Sequence, residues 1–324
     1  MRKILFASSL FCLVASWGSQ SLTVSADPGS PAQVMAQAAN STQPQPQSRV
    51  NLLSAGAEPR QVLRFRPAVN TRQISTIRLK LDPTISFGGG VVPRVKLPDT
   101  VMKVETVVNQ VDANGDIHYQ FRYTEANVVA DATVPREVVN SIRSQIQKIV
   151  GAGGAIVTDS RGQVKSTNLT FPQAVDQSTR QTLEQIAQSP EQFSLPLPEA
   201  AVGQGARWQV TSPLRLGGLN LTQNATYELT NLREGTATLN VNLVHSAEAQ
   251  TLSLSSLSDG VTFALKSLTS QGQGQSVFRL DQVMPLRSSL VLDSNQEGSA
   301  LNPGSSEGTP ISMRLRMDLR LESR

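Results

Sequence analysis

The stretch Met102–Tyr123 constrains the fold more than any other part of the chain, because its pattern is typical of a β-hairpin. At its centre lies Asn114-Gly115, the preferred pair for a two-residue type I′ turn, in which both central residues need positive φ. This turn places Val108 opposite Phe121. The alternation then collects the apolar residues of both strands on one face: Val104, Thr106, Val108, Ile117, Tyr119, Phe121 and Tyr123.

The first 26 residues have the features of a cleaved signal peptide. Arg2 and Lys3 precede an apolar run that ends at Trp17, and small residues around Ala26 fit a cleavage site. The run is too short, and too interrupted by serine, for a membrane span. We therefore expect an exported protein, periplasmic or extracellular, with no transmembrane segment in the mature chain.

Charge and cysteine content exclude several classes of function. Without Arg2 and Lys3, 27 of the 29 Lys and Arg residues remain against 25 acids, a net charge of +2. This balance gives no reason to expect nucleic-acid binding. Cys12 is the only cysteine and lies in the predicted signal, so the mature chain has no disulfide, thiolate metal site or cysteine nucleophile.

Composition divides the mature chain into three parts. Residues 27–59 are rich in Ala, Gln, Pro and Ser, which predicts a disordered linker because such a segment buries little apolar surface. Residues 60–190 are predicted to form a first β-rich half with a helix, and residues 191–324 a second β-rich half. Within the second half, the segment 293–310 is predicted to be a mobile loop.

One helix and one terminal strand stand out by their periodicity. Val134, Val138, Ile142 and Ile146 recur at intervals of four residues, which predicts an amphipathic helix over 134–150 that stops at Gly151. A second, more polar helix is predicted over 178–188. The last residues alternate strictly between apolar and polar side chains from Ile311 onward, which predicts a strand packed into the sheet.

A second hairpin is predicted between Ala225 and His245, with its turn at Arg233-Glu234-Gly235. A three-residue loop that ends in a left-handed Gly235 pairs Leu229 with Leu239, whereas a two-residue loop does not, so we predict the bulged three-residue type. An offset of about 122 residues superimposes the two hairpins and places Ile117 on Leu239. The chain is therefore predicted to be internally duplicated.

These elements predict a mainly β, α+β fold. Long antiparallel strands with one apolar face bury that face best by curving, either as one curved antiparallel sheet or as two half-barrels that wrap one or two helices. The helix over 134–150 is the predicted filler.

The segment L-P-L-P-E-A-A-V-G-Q-G-A-R-W, 195–208, followed by the hairpin that begins T-Y-E-L at Thr226, resembles an uncharacterised family of exported bacterial proteins. The family is known as a domain of unknown function, and the chain looks similar to its cyanobacterial members. The resemblance covers roughly residues 60–324 and implies no catalytic residues. More loosely, a sheet that wraps a helix looks like the lipoprotein-carrier folds of the bacterial envelope, an analogy that does not establish function.

Candidate sites for metals and nucleotides have simpler explanations. Asp112–Asp116 lacks the glycine and the bidentate Glu of a calcium loop, so a hairpin turn is the better interpretation. Gly151–Gly154 follows a helix rather than a strand, which indicates a helix stop and not a phosphate loop. His118 and His245 have no histidine partner at metal-ligand spacing. We therefore predict no metal, no cofactor and no catalytic residue, and a hydrolase is the least favoured function.

Five apolar side chains are candidates to line a hydrophobic ligand cavity: Tyr119, Phe121, Tyr123, Ile142 and Ile146. A filled core accounts for the same residues and is the simpler explanation. A basic stripe of Arg78, Lys80, Arg314, Arg316 and Arg320 suggests an anionic lipid or polysaccharide, but interleaved acids favour a solvated outer face.

The leading hypothesis is a non-enzymatic exported protein of the cell envelope that binds a hydrophobic ligand or lipid-bearing partner in the concavity of its sheet. The alternative is a scaffold or protein-interaction module with a filled core, whose envelope protein partner docks on the sheet edge or on loops.

Overall fold

The computed structural model describes residues 48–93, 96–130, 132–172, 175, 180, 195–216, 219–253, 261–302 and 307–324. The predicted signal peptide and the predicted helix over 178–188 lie outside the described residues, apart from Arg180. Strands predominate within these ranges, as the alternating patterns predict.

Fourteen named strands belong to one antiparallel sheet, and α1 (Arg136–Gln147) is the named helix of the described residues. The strands are β1 (Arg49–Ser54), β2 (Arg72–Phe87), β3 (Gly90–Val91), β4 (Asp99–Val111), β5 (Ile117–Val129), β6 (Gly153–Thr158), β7 (Val164–Thr170), β8 (Arg207–Leu216), β9 (Leu219–Arg233), β10 (Thr236–Ala247), β11 (Gln250–Ser253), β12 (Thr262–Arg279), β13 (Arg287–Leu301) and β14 (Thr309–Ser323).

The sheet runs in the order β1-β8-β9-β10-β12-β13-β14-β2-β4-β5-β6-β7, while β11 pairs with β12 and β3 with β2. It is curved and is not closed, so β1 and β7 are its two edges. The last strand, β14, lies between β13 and β2 and thereby joins the end of the chain to its beginning. The prediction of a mainly β fold with one curved antiparallel sheet is confirmed.

The linker boundary predicted at residue 59 is wrong for Arg49–Ser54, which form β1 and pair antiparallel with β8. Val50 and Leu52 pack against buried core residues. This short segment therefore buries apolar surface, although its composition did not indicate a strand. The mobile loop predicted over 293–310 is also wrong for residues 293–301 and 309–310, because β13 continues to Leu301 and β14 begins at Thr309; residues 303–306 lie outside the described residues. Ladder partners on both sides, in β12 and β14, hold this polar stretch in the sheet.

Helix α1 is shorter than predicted, since it spans Arg136–Gln147 within the interval 134–150. Its buried side chains are Ile142 and Ile146, two members of the predicted apolar stripe. Gly151 follows it with φ of +88°, a left-handed conformation that favours glycine and ends the helical run.

The first hairpin, β4–β5, differs from its predicted register by two residues. Val108 lies opposite Tyr119 rather than Phe121. Gly115 has φ of +88° and donates its N–H to the carbonyl of Asp112 at 2.9 Å, which closes a three-residue loop. A bulge at Asn109 compensates for the odd loop length and returns Val108 to the buried face.

The second hairpin, β9–β10, confirms the predicted pairing of Leu229 with Leu239 but not the predicted loop. Glu234 and Gly235 both have positive φ, 49° and 72°, as a two-residue type I′ turn requires. The extra residue is Thr230, which bulges from β9 and donates its hydroxyl to the carbonyl of Thr238 at 3.1 Å.

Buried apolar side chains form three clusters on one face of the sheet, which we call the inner face. The large cluster gathers residues of the connecting segments and of strands β4, β5, β6, β8, β9, β10 and β12, including Trp208, Tyr227, Leu229, Leu239 and Phe278. The helix cluster contains Ile142, Ile146, Met102, Met313 and Leu315, so α1 packs on this face. The third cluster contains Leu214, Leu219, Leu221, Leu252, Phe263, Leu265 and Leu268.

Irregular segments complete the large cluster near the turn of β9–β10. Leu63 and Leu197, both 0% exposed, come from connections outside the strands. Backbone hydrogen bonds attach them: Leu197 donates to the carbonyl of Arg161 at 2.8 Å, and Phe65 donates to that of Ser160 at 2.7 Å. Trp208 is fully buried and donates its indole N–H to the carbonyl of Pro196 at 3.0 Å.

Candidate functional site

The five predicted ligand-lining residues divide between two of the clusters. Tyr119 and Phe121 belong to or pack against the large cluster. Ile142 and Ile146 are buried in the helix cluster, against which Tyr123 packs. The rings of Phe121 and Tyr123 meet edge to face with centroids 6.1 Å apart, which joins the two clusters. The three aromatic residues therefore lie on the inner face, as the alternation predicts, and the two isoleucines pack on that face from α1.

Burial raises the pKa of the tyrosines in this region. The pKa values of Tyr119 and Tyr123 lie above their ordinary value because desolvation penalises the phenolate. For Tyr227, which stacks on Trp208 with ring centroids 5.6 Å apart, burial raises the pKa to about 12. These phenols are neutral near pH 7 and behave as apolar side chains with one hydrogen-bonding group.

A row of apolar residues crosses the inner face at mid-sheet, outside the predicted set. Ladder pairing brings one residue from each of five neighbouring strands into line. We call this set the apolar row: Val241, Gly274, Leu290, Leu319 and Leu79. All five are only partly buried, and Leu290, Leu319 and Leu79 belong to none of the three clusters. The apolar row thus leaves part of its surface open on the inner face.

Sequence analysis missed the apolar row because its members come from distant strands. Alternation indicates that each faces the core side of its own strand, but only the strand order aligns them. The inner face of β12 also contains two glycines, Gly272 and Gly274. The position of Gly272 has no room for a side chain, because a Cβ there would lie 2.9 Å from Leu292 Cδ1. The inner face over β12 is therefore lined by side chains of neighbouring strands.

A second row on the inner face is polar. Consecutive ladder partners place one polar residue on each of five adjacent strands, β8 to β13. We call it the polar row: Ser212, Gln223, His245, Ser270 and Ser294. His245 Nε2 lies 3.0 Å from Gln223 Oε1, and the Ser270 hydroxyl donates to Ser294 Oγ at 2.8 Å. Burial lowers the pKa of His245, which favours its neutral form.

The two histidines have different environments. His118 lies on the outer side of β5, where Nε2 is 2.8 Å from Asp112 Oδ2. This hydrogen bond, with a second from Gln110, lowers the pKa of Asp112. The residues 112–116, for which a hairpin turn is predicted in preference to a calcium loop, thus form a closed hairpin turn. Among the described residues, no group of three or more His, Cys, Asp or Glu is placed to hold a metal ion.

Three residues of the predicted basic stripe on β14 and β2 pair with carboxylates on the outer face. Arg316 contacts Asp293 at 2.9 Å, and Arg320 contacts Asp318 at 3.3 Å. Arg78 contacts Asp99 at 3.5 Å. The stripe is therefore a surface of mixed charge, in which exposed pairs each contribute little to stability.

A cavity of about 330 Å³ lies near the turn of β9–β10. Its lining includes Arg64, Arg66, Arg279, Glu234 and Asp281. Arg279 is paired with Asp281, and Arg64 donates to the carbonyls of Leu63 and Pro198. Most of its cationic groups are therefore already engaged within the protein. None of the five predicted ligand-lining residues contributes to it.

No protein-family model matches the chain, and no curated protein matches it. In the part of the chain that the structure describes, no helix is both long and apolar enough to cross a membrane.

Proposed function

We propose that this protein is an exported, non-enzymatic component of the cell envelope that binds a hydrophobic or lipid-bearing partner on the inner face of its curved sheet. The observation that carries the proposal is the apolar row. It offers partly exposed aliphatic side chains on the face that carries the core, where an apolar partner gains from removal of surface from water.

The distribution of buried surface supports a binding face at mid-sheet. The large cluster fills the end near the turns of both hairpins, and α1 covers the inner face around Met102 and Met313. Between them, Leu290, Leu319 and Leu79 keep partial exposure. Exposed aliphatic residues scattered singly need no explanation, but aligned neighbours on an inner face are typical of ligand sites.

A non-enzymatic role agrees with the side chains available on this face. The inner-face positions of β10, β12, β13, β14 and β2 hold no carboxylate, lysine or arginine, and His245 is their one titratable group. A buried histidine with a lowered pKa, bonded to an amide, has no charged partner to orient it for acid–base work.

We also propose that the chain arose by internal duplication. Four strands follow one another as neighbours in each part, β4-β5-β6-β7 and β9-β10-β12-β13. The offset of 122 residues superimposes Ile117 on Leu239, and both are fully buried in the large cluster. The duplicated halves form a single sheet in which β14 and β2 join them.

A scaffold with a filled core is the second candidate. The observation that favours it is the density of the large cluster, in which Trp208, Leu229 and Leu239 are 0% exposed. In this case an envelope protein docks on an edge strand, and β1 and β7 are the two edges.

Native mass spectrometry of the purified mature protein tests the proposal. We expect co-purifying lipid, or uptake of a fluorescent fatty acid by delipidated protein. Leu290→Gln, on the inner face, should weaken uptake about tenfold, because one buried aliphatic side chain contributes about 1.5–3 kcal/mol. The matched control is Val291→Gln, one residue along on the outer face, which should bind as the wild type does. An apo mass together with no uptake favours the scaffold.

A further inference from the structure

The apolar row ends at a buried residue on each side. Val241 on β10 pairs with Tyr227 of β9, which is 7% exposed and stacks on Trp208. Leu79 on β2 pairs with Thr100 of β4, which is 5% exposed and donates its hydroxyl to the carbonyl of Leu79 at 3.4 Å. The partly exposed part of the inner face at this level therefore has a fixed extent, from β10 to β2.

This extent can be expressed as a length. The strand order β10-β12-β13-β14-β2 contains four intervals. Each interval is about 4.8 Å, so the backbone span is about 19 Å. The inner side of a curved sheet is shorter than its backbone, so the row itself is somewhat shorter. A C–C bond of about 1.5 Å advances an extended alkyl chain by about 1.25 Å, and the row therefore matches a chain of about 12–15 carbons.

The row that lies between the apolar row and the polar row is also apolar. Ladder pairing aligns its five members on the same five strands: Leu243, Gly272, Leu292, Met317 and Leu81. Gly272 has no side chain, and Leu290 Cδ1 and Leu292 Cδ1 lie within 3.3 Å of the position that its Cβ would take. These leucines thus lie over β12. A ligand on the apolar row therefore has apolar neighbours along its whole length on this side.

No charged side chain of the five strands faces the apolar row. Their inner-face positions hold no carboxylate, lysine or arginine, and His245 lies two rows away. On the other side of the row, the polar side chains of the adjacent ladder partners are the hydroxyls of Ser276 and Ser288. A charged head group placed here would lose its hydration without gaining a counter-ion. The face therefore suits a hydrocarbon chain and offers nothing to a charged head.

We propose that the ligand is a single linear alkyl chain of about 12–15 carbons, which lies across the strands on the apolar row while its head group stays in water. The chain runs from Val241 to Leu79 and passes over Leu290 and Leu319. This inference rests on the proposed function, because it names the ligand class of the same face. Two properties follow from it: the length of the chain sets the affinity, and the charge of the head group has little effect.

Two series of linear amphiphiles with about 8 to 18 carbons test both properties: fatty acids and alkyltrimethylammonium ions, whose head charges are opposite. Each compound displaces a fluorescent fatty acid from the delipidated mature protein at pH 8, below its critical micelle concentration. We expect the affinity to rise about twofold to fourfold with each added CH₂ up to about 15 carbons and then to stay level, with the two series alike within about threefold.

The outcomes separate this inference from the proposed function. An affinity that still rises at about 18 carbons, or a difference between the two series of more than about tenfold, would overturn the inference and leave the proposed function standing. No binding of the fluorescent fatty acid or of either series overturns both.

Substitutions at the two ends test whether the apolar row sets this length. Leu79→Trp shortens the open row by one strand, about 4.8 Å, so the affinity should level off about four carbons earlier in both series. Val241→Trp should do the same from the β10 end, which keeps the test available where one variant does not fold. The matched control is Lys80→Trp on the outer face of β2, which should keep the wild-type chain length. Thermal melting establishes folding, and an unchanged chain length in a folded end variant would contradict the assignment.

Discussion

The hairpin β4–β5 closes with a three-residue loop and a bulge at Asn109, whereas β9–β10 closes with two residues and a bulge at Thr230. The Asn-Gly pair, the strongest sequence signal for a type I′ turn, lies in the hairpin that does not use one. The hairpin that does use one carries Glu234 in the left-handed conformation.

This difference shows that the loop does not decide the register alone. In both hairpins one extra residue in the first strand brings the apolar side chains back to the inner face. Val108 meets Tyr119 in one, and Leu229 meets Leu239 in the other, all within the large cluster. Burial of these side chains contributes more free energy of folding than the conformational preferences of the turn residues, which amount to about 1 kcal/mol.

The largest effect is expected from a pair of one-residue deletions in β9. Deletion of Glu228 forces either Tyr227 or Leu229 off the inner face and should lower the free energy of unfolding by about 2–5 kcal/mol. Deletion of Thr230 removes only the bulge and its hydrogen bond and should cost about 1 kcal/mol. Urea denaturation measures both. Equal losses would show that the bulge does not set the register.

The left-handed glycines allow the two turns to be compared directly. Gly235→Ala meets no atom within 4 Å of its Cβ, so it should cost about 1 kcal/mol through backbone conformation alone. Gly115→Ala adds a contact with Ser160 at 3.4 Å, which is ordinary packing, and should cost a similar amount. Chemical denaturation of both variants tests this, and a neutral Gly115→Ala would show that the first loop tolerates another conformation.

Each hairpin contains one histidine, and pH should distinguish them. Burial lowers the pKa of His245 below its ordinary 6.5, so the unfolded chain binds a proton more readily than the folded chain. Its contribution is fully present above pH 6.5 and is lost as pH falls through the folded pKa, at about 1.4 kcal/mol for each pH unit between the two values.

Thermal melting between pH 5 and pH 8 measures this loss. The variant His245→Gln should remove that part of the pH dependence, because glutamine does not titrate. The matched variant His118→Gln, on the outer side of the other hairpin, leaves the contribution of His245 in place. An unchanged pH dependence in His245→Gln would contradict the prediction.

The smallest predicted effect is a gain in stability. Glu234→Asn creates an Asn-Gly pair where both residues already have positive φ, and should raise the free energy of unfolding by about 0.5–1 kcal/mol. Denaturation midpoints with unchanged slopes would show that stability alone has changed. A loss of stability would mean that the carboxylate of Glu234 has a role in the adjacent cavity.

Much of the fold is predictable from periodicity. The strand β14, the stripe of α1 and the pairing of Leu229 with Leu239 follow from local alternation. The predicted linker boundary at residue 59 was wrong at β1. This strand has six residues with only two inward aliphatic side chains, so its composition is close to that of the polar sequence around it. The loop prediction was wrong for residues 293–301 because these residues have ladder partners in both β12 and β14.

The candidate site was predictable only in part. Tyr119, Phe121 and Tyr123 were placed on the inner face by alternation along one hairpin. The apolar row and the polar row were missed, since each takes one residue from each of five strands.

The sequence by itself determined which side of each strand is apolar, which face of α1 is buried and where the two hairpins turn, because these depend on neighbours within a few residues. The tertiary structure alone decided the loop types, the bulges and the alignment of Leu79, Leu290 and Leu319 across neighbouring strands. Those features depend on pairing between strands distant in the chain, and the free energy of burying a shared inner face exceeds local preferences.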